Sequence, residues 1–237
     1  MPTPVYSITC LSSERIARDV YACTFTRPSS LAFAAGQFVL LDVPLVDNPA
    51  DVQPRAYSIA SAPQESELLF AIKLKDGGRA SRWVAEEVRP GTSVAMKGPF
   101  GVFTLRSGTS PLLLLGTSTG IAPFRAQLID LARSGDRRAV DAVFGCRSED
   151  DLFWVAELQA CVDALPAARL HITLTQPSER WTGHRGRVQT IAPSVVPDLA
   201  ARDVYACGNP AMVDDVKLLC AGSWGIPKER VHIEGYI

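Results

Sequence analysis

Between a polar loop and Ala62-Pro63 the chain reads Gln53-Pro-Arg-Ala-Tyr-Ser-Ile-Ala-Ser61, which sets a guanidinium, a phenol and a hydroxyl within four residues. The small and β-branched residues Ala56, Ile59 and Ala60 suit a strand. Alternate side chains of a strand share a face, so Arg55 and Tyr57 project one way and Ala56 and Ser58 the other. A face so equipped can hold a planar, charged ligand. The same residues also suit an ordinary edge strand with an exposed Arg and Tyr.

Three further stretches carry residues that can do chemistry. "LLLLGTSTGIAP" (112–123) reads as a buried strand, a turn with Gly116, Thr117, Thr119 and Gly120, and a helix start with Pro123 in its first turn. Free amides and the macrodipole at such a start favour an anion, and a dinucleotide pyrophosphate is the usual occupant. An ordinary strand–helix turn would look the same, because Gly116 and Gly120 alone do not complete GxGxxG. "DGGRASRWV" (76–84) is a second Gly-rich turn entering a helix, with Gly78, Arg79, Ala80 and Ser81 at its mouth. Ser81 and the neighbouring amides can donate to phosphate, or Ser81 can simply cap the helix. "VYACGNPAMV" (204–213) is a strand ending in Cys207-Gly208, with Pro210 and Met212 opening another helix. A nucleophilic thiol needs a basic neighbour to lower its pKa, and His171, His184 and His232 have no sequence link to Cys207. Covalent thiol catalysis is therefore disfavoured. No HExxH, GxSxG or paired-carboxylate motif occurs, and "RSEDDLF" (147–153) reads as a solvated helix start.

These stretches need elements to position them. Up to Leu105 the text is short β-type runs separated by turn signals at Asn48-Pro49, Asp76-Gly77-Gly78, Pro90-Gly91 and Gly98-Pro99, with one helix over "ASRWVAEEV". The pattern predicts an antiparallel barrel or sandwich, with the first two strands over 5–11 and 19–26. Beyond the polar hinge "RSGTSP" (106–111) continuous apolar runs alternate with helical ones. That alternation predicts βαβ units and a parallel sheet covered on both faces. Two domains follow, 1–107 and 108–237.

With 237 residues, 47% hydrophobic and 21% charged, the chain can fill two cores. Twenty-four basic and 25 acidic residues leave no basic excess for nucleic acid. The first residues lack a signal-peptide pattern, and the longest apolar run is too short to span a bilayer. Six scattered cysteines without CxxC argue against zinc ribbons and Cys-ligated clusters, and fit buried thiols in a reducing cytoplasm.

Taken in order, Arg55-Ala-Tyr57-Ser58, Gly78-Arg-Ala-Ser81, Gly98-Pro-Phe-Gly101, Gly116-Thr-Ser-Thr-Gly120-Ile-Ala-Pro123 and Cys207-Gly208-Asn-Pro-Ala-Met212 resemble the ferredoxin–NADP reductase superfamily of flavoproteins. The resemblance runs across essentially the whole chain. It implies a six-stranded antiparallel barrel that binds flavin, followed by a Rossmann-like domain that binds NADH or NADPH. By that likeness Arg55 pairs with the flavin phosphate, Tyr57 lies against the isoalloxazine and Ser58 hydrogen-bonds near flavin N5. Gly78–Ser81 takes the remaining phosphate charge, the 116–123 turn takes the nicotinamide nucleotide, and Cys207 lies beside nicotinamide C4. The C-terminal "HIEGYI" resembles members with a terminal aromatic over the flavin, which makes Tyr236 a gate and Glu234 a proton or partner contact. A last strand ending in a packed Tyr is the alternative. Thr117 and Ser118 depart from the usual Gly-rich family turn.

The resemblance implies FAD or FMN, and an adenine-sized loop at 44–53 together with the lack of a fused cluster domain favours FAD. It leaves NADH against NADPH to Arg147, Arg180 and Arg185, and the acids Glu149, Asp150 and Asp151 tilt the balance to NADH. The preferred activity is an NAD(P)H-dependent reductase feeding a separate ferredoxin, flavodoxin or oxygenase component, with Arg79, Arg82 and Lys97 as docking cations. The rivals are a reductase of free flavin and a flavin-bearing electron-transfer subunit of a larger complex.

Overall fold

A computed structural model describes residues 3–236. The chain divides into two compact units, Met1–Thr104 and Leu105–Ile237.

The first unit is one antiparallel sheet of β1 (Val5–Ala17), β2 (Val20–Thr26), β3 (Phe38–Leu45), β4 (Asn48–Ser58), β5 (Glu67–Lys73) and β6 (Ser93–Phe100), in the order β4-β3-β6-β1-β2-β5. Its edge strands β4 and β5 approach each other, so the sheet curls toward a barrel. Apolar residues alternate along the strands, and Ile8, Cys10, Cys23, Phe25, Val39, Leu41, Phe70 and Met96 fill the inside. Such alternation marks a sheet with one face on a core and one toward water. Helix α1 (Arg79–Glu86) adds Trp83 and Val84 to this core.

Two features differ from the sequence expectation. β1 runs to Ala17, through a bulged register against β2, well past the expected residue 11. The stretch 44–53 is no open loop but a tight hairpin, with only Val46 and Asp47 between β3 and β4. Asn48-Pro49 reads as a break in sequence, yet β4 is an edge strand, where a proline need not cost a ladder hydrogen bond. The loop-length argument for FAD therefore falls.

The second unit holds a parallel sheet of β7 (Leu112–Thr117), β8 (Val140–Cys146), β9 (Ala168–Leu174), β10 (His184–Arg185), β11 (Asp203–Gly208) and β12 (Val231–Gly235), ordered β10-β9-β8-β7-β11-β12. Every residue of β8 is buried, as expected of a strand covered on both faces. Helices α2 (Ala122–Ser134), α3 (Val155–Asp163), α4 (Val188–Val195) and α5 (Pro210–Ala221) cover it. Leu113 and Leu115 pack with Val188, Ala192, Val213 and Val216 from α4 and α5. Alternation turns Leu112 and Leu114 to the opposite face. The strand order reverses at β7: chain order runs outward through β8 and β9 on one side, then resumes at β11 on the other. In open α/β sheets the crevice at such a reversal, at the carboxyl ends of the strands, is where nucleotides bind.

Candidate nucleotide sites

In the first unit the period-two pattern of β4 sets Asp51, Gln53, Arg55 and Tyr57 on one half-buried row, while Val52, Pro54 and Ala56 face solvent. Ser58 ends the strand, buried at 8% exposure. Arg55 Nη2 donates to Gln53 Oε1 at 2.8 Å and Nη1 donates to the Pro54 carbonyl at 2.9 Å. Among the described residues no carboxylate pairs with this guanidinium, which leaves its charge for an anion. Tyr57 packs against Phe70 with ring centroids 6.5 Å apart. Burial pushes the Tyr57 phenol well above its usual pKa, against the lowering effect of the Arg55 charge. The phenol therefore stays protonated and can donate a hydrogen bond.

The second phosphate-type turn is built differently from its sequence reading. Gly78, not Ser81, is the N-cap of α1, and Ser81 lies inside the helix. The Lys75 amide donates to Ser81 Oγ at 2.7 Å, so the Ser81 proton remains available to another acceptor. A Cβ on Gly78 would lie 2.7 Å from Ser81 Oγ and 2.8 Å from the Lys75 carbonyl, so the turn needs glycine there. Arg79 is paired with Asp51, Arg82 with Asp47 and Glu86, and Lys97 with Asp42. Each of the three expected docking cations thus has a carboxylate partner within its own unit.

In the second unit β7 ends in Gly116-Thr117, a 3₁₀ turn spans Ser118–Ile121, and α2 begins at Ala122 with Pro123 in its first turn. Ser118 has φ 50°, a left-handed backbone that a non-glycine residue adopts at a cost. Gly208 has φ 136°, and a Cβ there would collide with Thr117 Oγ1. The Asn209 amide donates to that same Thr117 Oγ1 at 3.1 Å, and Asn209 Oδ1 accepts from the Ala211 amide to cap α5. Two turns, from β7 and β11, therefore interlock through glycines, bringing two helix starts to the point where the strand order reverses.

The C-terminal strand closes this group. Cys207 is fully buried and lies 4.0 Å from Glu234 Oε1. Burial pushes its thiol far above the usual value, opposed by a hydrogen bond with Tyr236 and reinforced by the Glu234 charge. The protein thus holds a neutral thiol here, not a nucleophile. The Tyr236 amide donates to the Gly208 carbonyl at 2.9 Å, and its hydroxyl donates to the Thr119 carbonyl at 3.2 Å. Thr117, Thr119, Gly120, Cys207, Gly208, Glu234 and Tyr236 thereby form one cluster. Met212 is buried on α5 and packs in the core behind it.

Farther along the same edge, Arg147 follows β8, and its Nε donates to Gln176 Oε1 at 2.8 Å. Glu149 accepts from Ser178 Oγ at 2.6 Å, which holds its carboxyl below the usual range. Arg185 Nη2 donates to the carbonyls of Ser178, Glu179 and Trp181. Trp181 was not singled out from the sequence. Its Nε1 donates to the His184 carbonyl at 2.9 Å, and its ring lies where a Cβ on Gly183 would stand. The Trp-x-Gly spacing was the available signal. A cavity of 530 Å³ at the amino ends of β8 and β9, lined by Asp141, Arg169 and Arg202, lies at the other end of this sheet. Arg202 is committed there to Asp141, Asp198 and the carbonyls of Leu112 and Ala139. No helix among the described residues is long and apolar enough to cross a membrane, and among them no group of three or more His, Cys, Asp or Glu is placed to hold a metal ion.

Comparison with known proteins agrees with this layout. Residues 7–105 match the family described as oxidoreductase FAD-binding domain, and residues 114–218 match the oxidoreductase NAD-binding domain. The chain is 36% identical over 212 residues to ferredoxin--NADP reductase B of Sorangium cellulosum, covering 86% of this chain and 85% of that protein. It is 32% identical to the toluate 1,2-dioxygenase electron transfer component of Pseudomonas putida, covering 87% of this chain but only 59% of that relative. Among solved structures, the Amycolatopsis cytochrome P450 reductase GcoB superposes with a TM-score of 0.86 at 25% identity, over 99% of this chain and 71% of that one.

Proposed function

Because this chain belongs to the ferredoxin–NADP reductase superfamily, we propose that it is an NAD(P)H-dependent flavin oxidoreductase that hands electrons to a separate carrier. The carrier is a ferredoxin, a flavodoxin or an oxygenase component. The names of the relatives support this, since they include a ferredoxin--NADP reductase and the electron transfer component of a dioxygenase. Residues 1–107 hold FAD and residues 108–237 hold the nicotinamide nucleotide. The observation that carries the reading is the half-buried Arg55 guanidinium, without a carboxylate partner among the described residues, on the same face of β4 as Tyr57.

When bound, a flavin would supply the redox chemistry, namely hydride acceptance from the reduced nicotinamide and electron release singly or as a pair. The chain's own residues bind and orient. Arg55 takes a flavin phosphate with its forked donors, and Gln53 Oε1 holds that fork in place. Ala56 spaces Arg55 and Tyr57 onto one face of β4. Tyr57 gives the flavin ring an apolar face and a protonated hydroxyl, and Ser58 offers a hydrogen bond beside N5. Gly78, Ala80 and the Ser81 hydroxyl receive phosphate at the start of α1. Gly116, Thr117, Thr119, Gly120 and Pro123 shape the pyrophosphate turn, with Arg147 farther along the edge at the adenosine end. Cys207 and Gly208 keep the nicotinamide site small. Glu234 holds a carboxylate near the Cys207 sulfur, and Tyr236 closes the cluster as a gate.

The six scattered cysteines, five of them buried, support a cytoplasmic setting. Oxygen-free NADH mixing tests the whole reading. The purified protein should carry a flavin that is bleached by NAD(P)H and then reduces ferricyanide. A colourless protein that reduces only added flavin would establish the rival reading instead.

A further inference from the structure

We propose that Asp51 sets flavin affinity by competing with the flavin phosphate for the Arg79 guanidinium. The inference rests on the reading above, in which the start of α1 receives phosphate. Arg79 opens α1, and its Nη1 lies 2.8 Å from Asp51 Oδ1 while Nη2 donates to Oδ2 at 3.0 Å. A carboxylate thus occupies the two-pronged donor geometry that suits two phosphate oxygens. The hydrogen bond from Arg79 also holds the Asp51 carboxyl below its usual range.

Position makes the competition specific. Asp51 stands on the same row of β4 as Arg55 and Tyr57, about 13 Å along the strand from Arg55. The row therefore runs from the ring site at Tyr57, past the cation at Arg55, to an anion beside the second phosphate-type turn. A phosphate arriving at α1 must displace this carboxylate from Arg79 and then bear its repulsion. The neighbouring pair of Arg82 with Asp47, Nη1 to Oδ2 at 2.5 Å, fastens the tip of the β3–β4 hairpin to the same helix. Arg79 can thus turn to phosphate while the hairpin stays attached. The Arg79 and Asp51 side chains are 20% and 40% exposed, so their pair is of the partly screened kind. Such pairs are worth little, and the competition should change affinity about two- to fivefold.

The test is equilibrium FAD binding to the full chain, followed by flavin fluorescence, for the wild type, Asp51→Asn, Arg79→Gln and the double variant, with riboflavin as a phosphate-free probe. Asp51→Asn should tighten FAD about two- to fivefold. It should leave riboflavin affinity unchanged and have no effect once Arg79 is Gln. Asp47→Asn loosens the hairpin without touching Arg79 and should leave FAD affinity alone. Weaker or unchanged FAD binding in Asp51→Asn, with Arg79→Gln still impaired, overturns the competition. A gain in Asp47→Asn as large as that in Asp51→Asn overturns it too, by making hairpin mobility the cause. Unchanged FAD affinity in Arg79→Gln removes instead the underlying assignment of phosphate to the α1 start.

Discussion

Gly120 is pressed against the neighbouring strand at Cys207: a Cβ built on it would lie 2.6 Å from the Cys207 carbonyl carbon and 2.7 Å from Gly208 Cα. The turn after β7 can reach its place only because this position has no side chain. Gly120→Ala should therefore destabilise the second unit by about 1–3 kcal/mol, the usual cost of forcing atoms into a packed site. It should also raise the KM for NAD(P)H while FAD content stays normal. Thermal unfolding and flavin content measured side by side check both halves.

Arg55 bears the largest share of flavin binding in this account. Arg55→Gln shortens the side chain and removes both the charge and the forked donors, and should weaken FAD by about 1.5–3 kcal/mol, the range for hydrogen bonds to charged groups. The variant should leave the purification column pale. Retained flavin at wild-type stoichiometry would move the phosphate elsewhere.

His232 gives stability a pH dependence of known sign. Its ring stacks on Tyr205 at 4.4 Å, Nε2 is buried without a partner, and burial, then the Arg106 charge, lowers its pKa below 6.5. The unfolded chain therefore binds a proton that the folded chain resists. The resulting stability is complete above pH 6.5 and declines as pH falls through the lower folded value. The paired carboxylates act only at more acid pH, since Asp136 and Asp198 are both held below 3.8. Denaturant midpoints between pH 7 and pH 5 should fall for the wild type and fall less for His232→Phe.

Cys207 should be inert as a thiol. Burial keeps it protonated, so iodoacetamide at pH 8 should not label it in the folded protein, and no thiolate limb should shape the pH–rate profile. Peptide mapping after alkylation reads this directly.

Charge at the end of β8 predicts the donor preference. Glu149 is held by Ser178 and stays ionised, which disfavours a 2′-phosphate beside it. NADH should have the higher kcat/KM, and Glu149→Gln should narrow the gap to NADPH. A strong NADPH preference in the wild type would reverse this assignment.

Much of this is legible in the sequence. Leu112–Leu115 is apolar without alternation because both faces of the parallel sheet are covered, and that is visible in one line of text. The shared face of Arg55 and Tyr57 follows from the period of a strand alone. What escaped depends on partners far along the chain. The carboxylate partners of Arg79, Arg82 and Lys97 were hidden because Asp51, Asp47 and Asp42, distant in sequence, are brought against them by the β3–β4 hairpin and the β3–β6 pairing. The hairpin itself was hidden by Asn48-Pro49, which reads as a break unless the strand is known to be at an edge. Ser81 looked like a cap because its spacing fits one, whereas its hydroxyl closes the preceding turn at Lys75.

An anaerobic absorption titration of the purified chain bears most directly on the claim that FAD is held by the first unit and reduced by a donor on the second. One equivalent of flavin per chain, bleached stoichiometrically by NADH in the wild type and absent from Arg55→Gln, is the result this account predicts. Flavin that is bound but indifferent to both NADH and NADPH would contradict it.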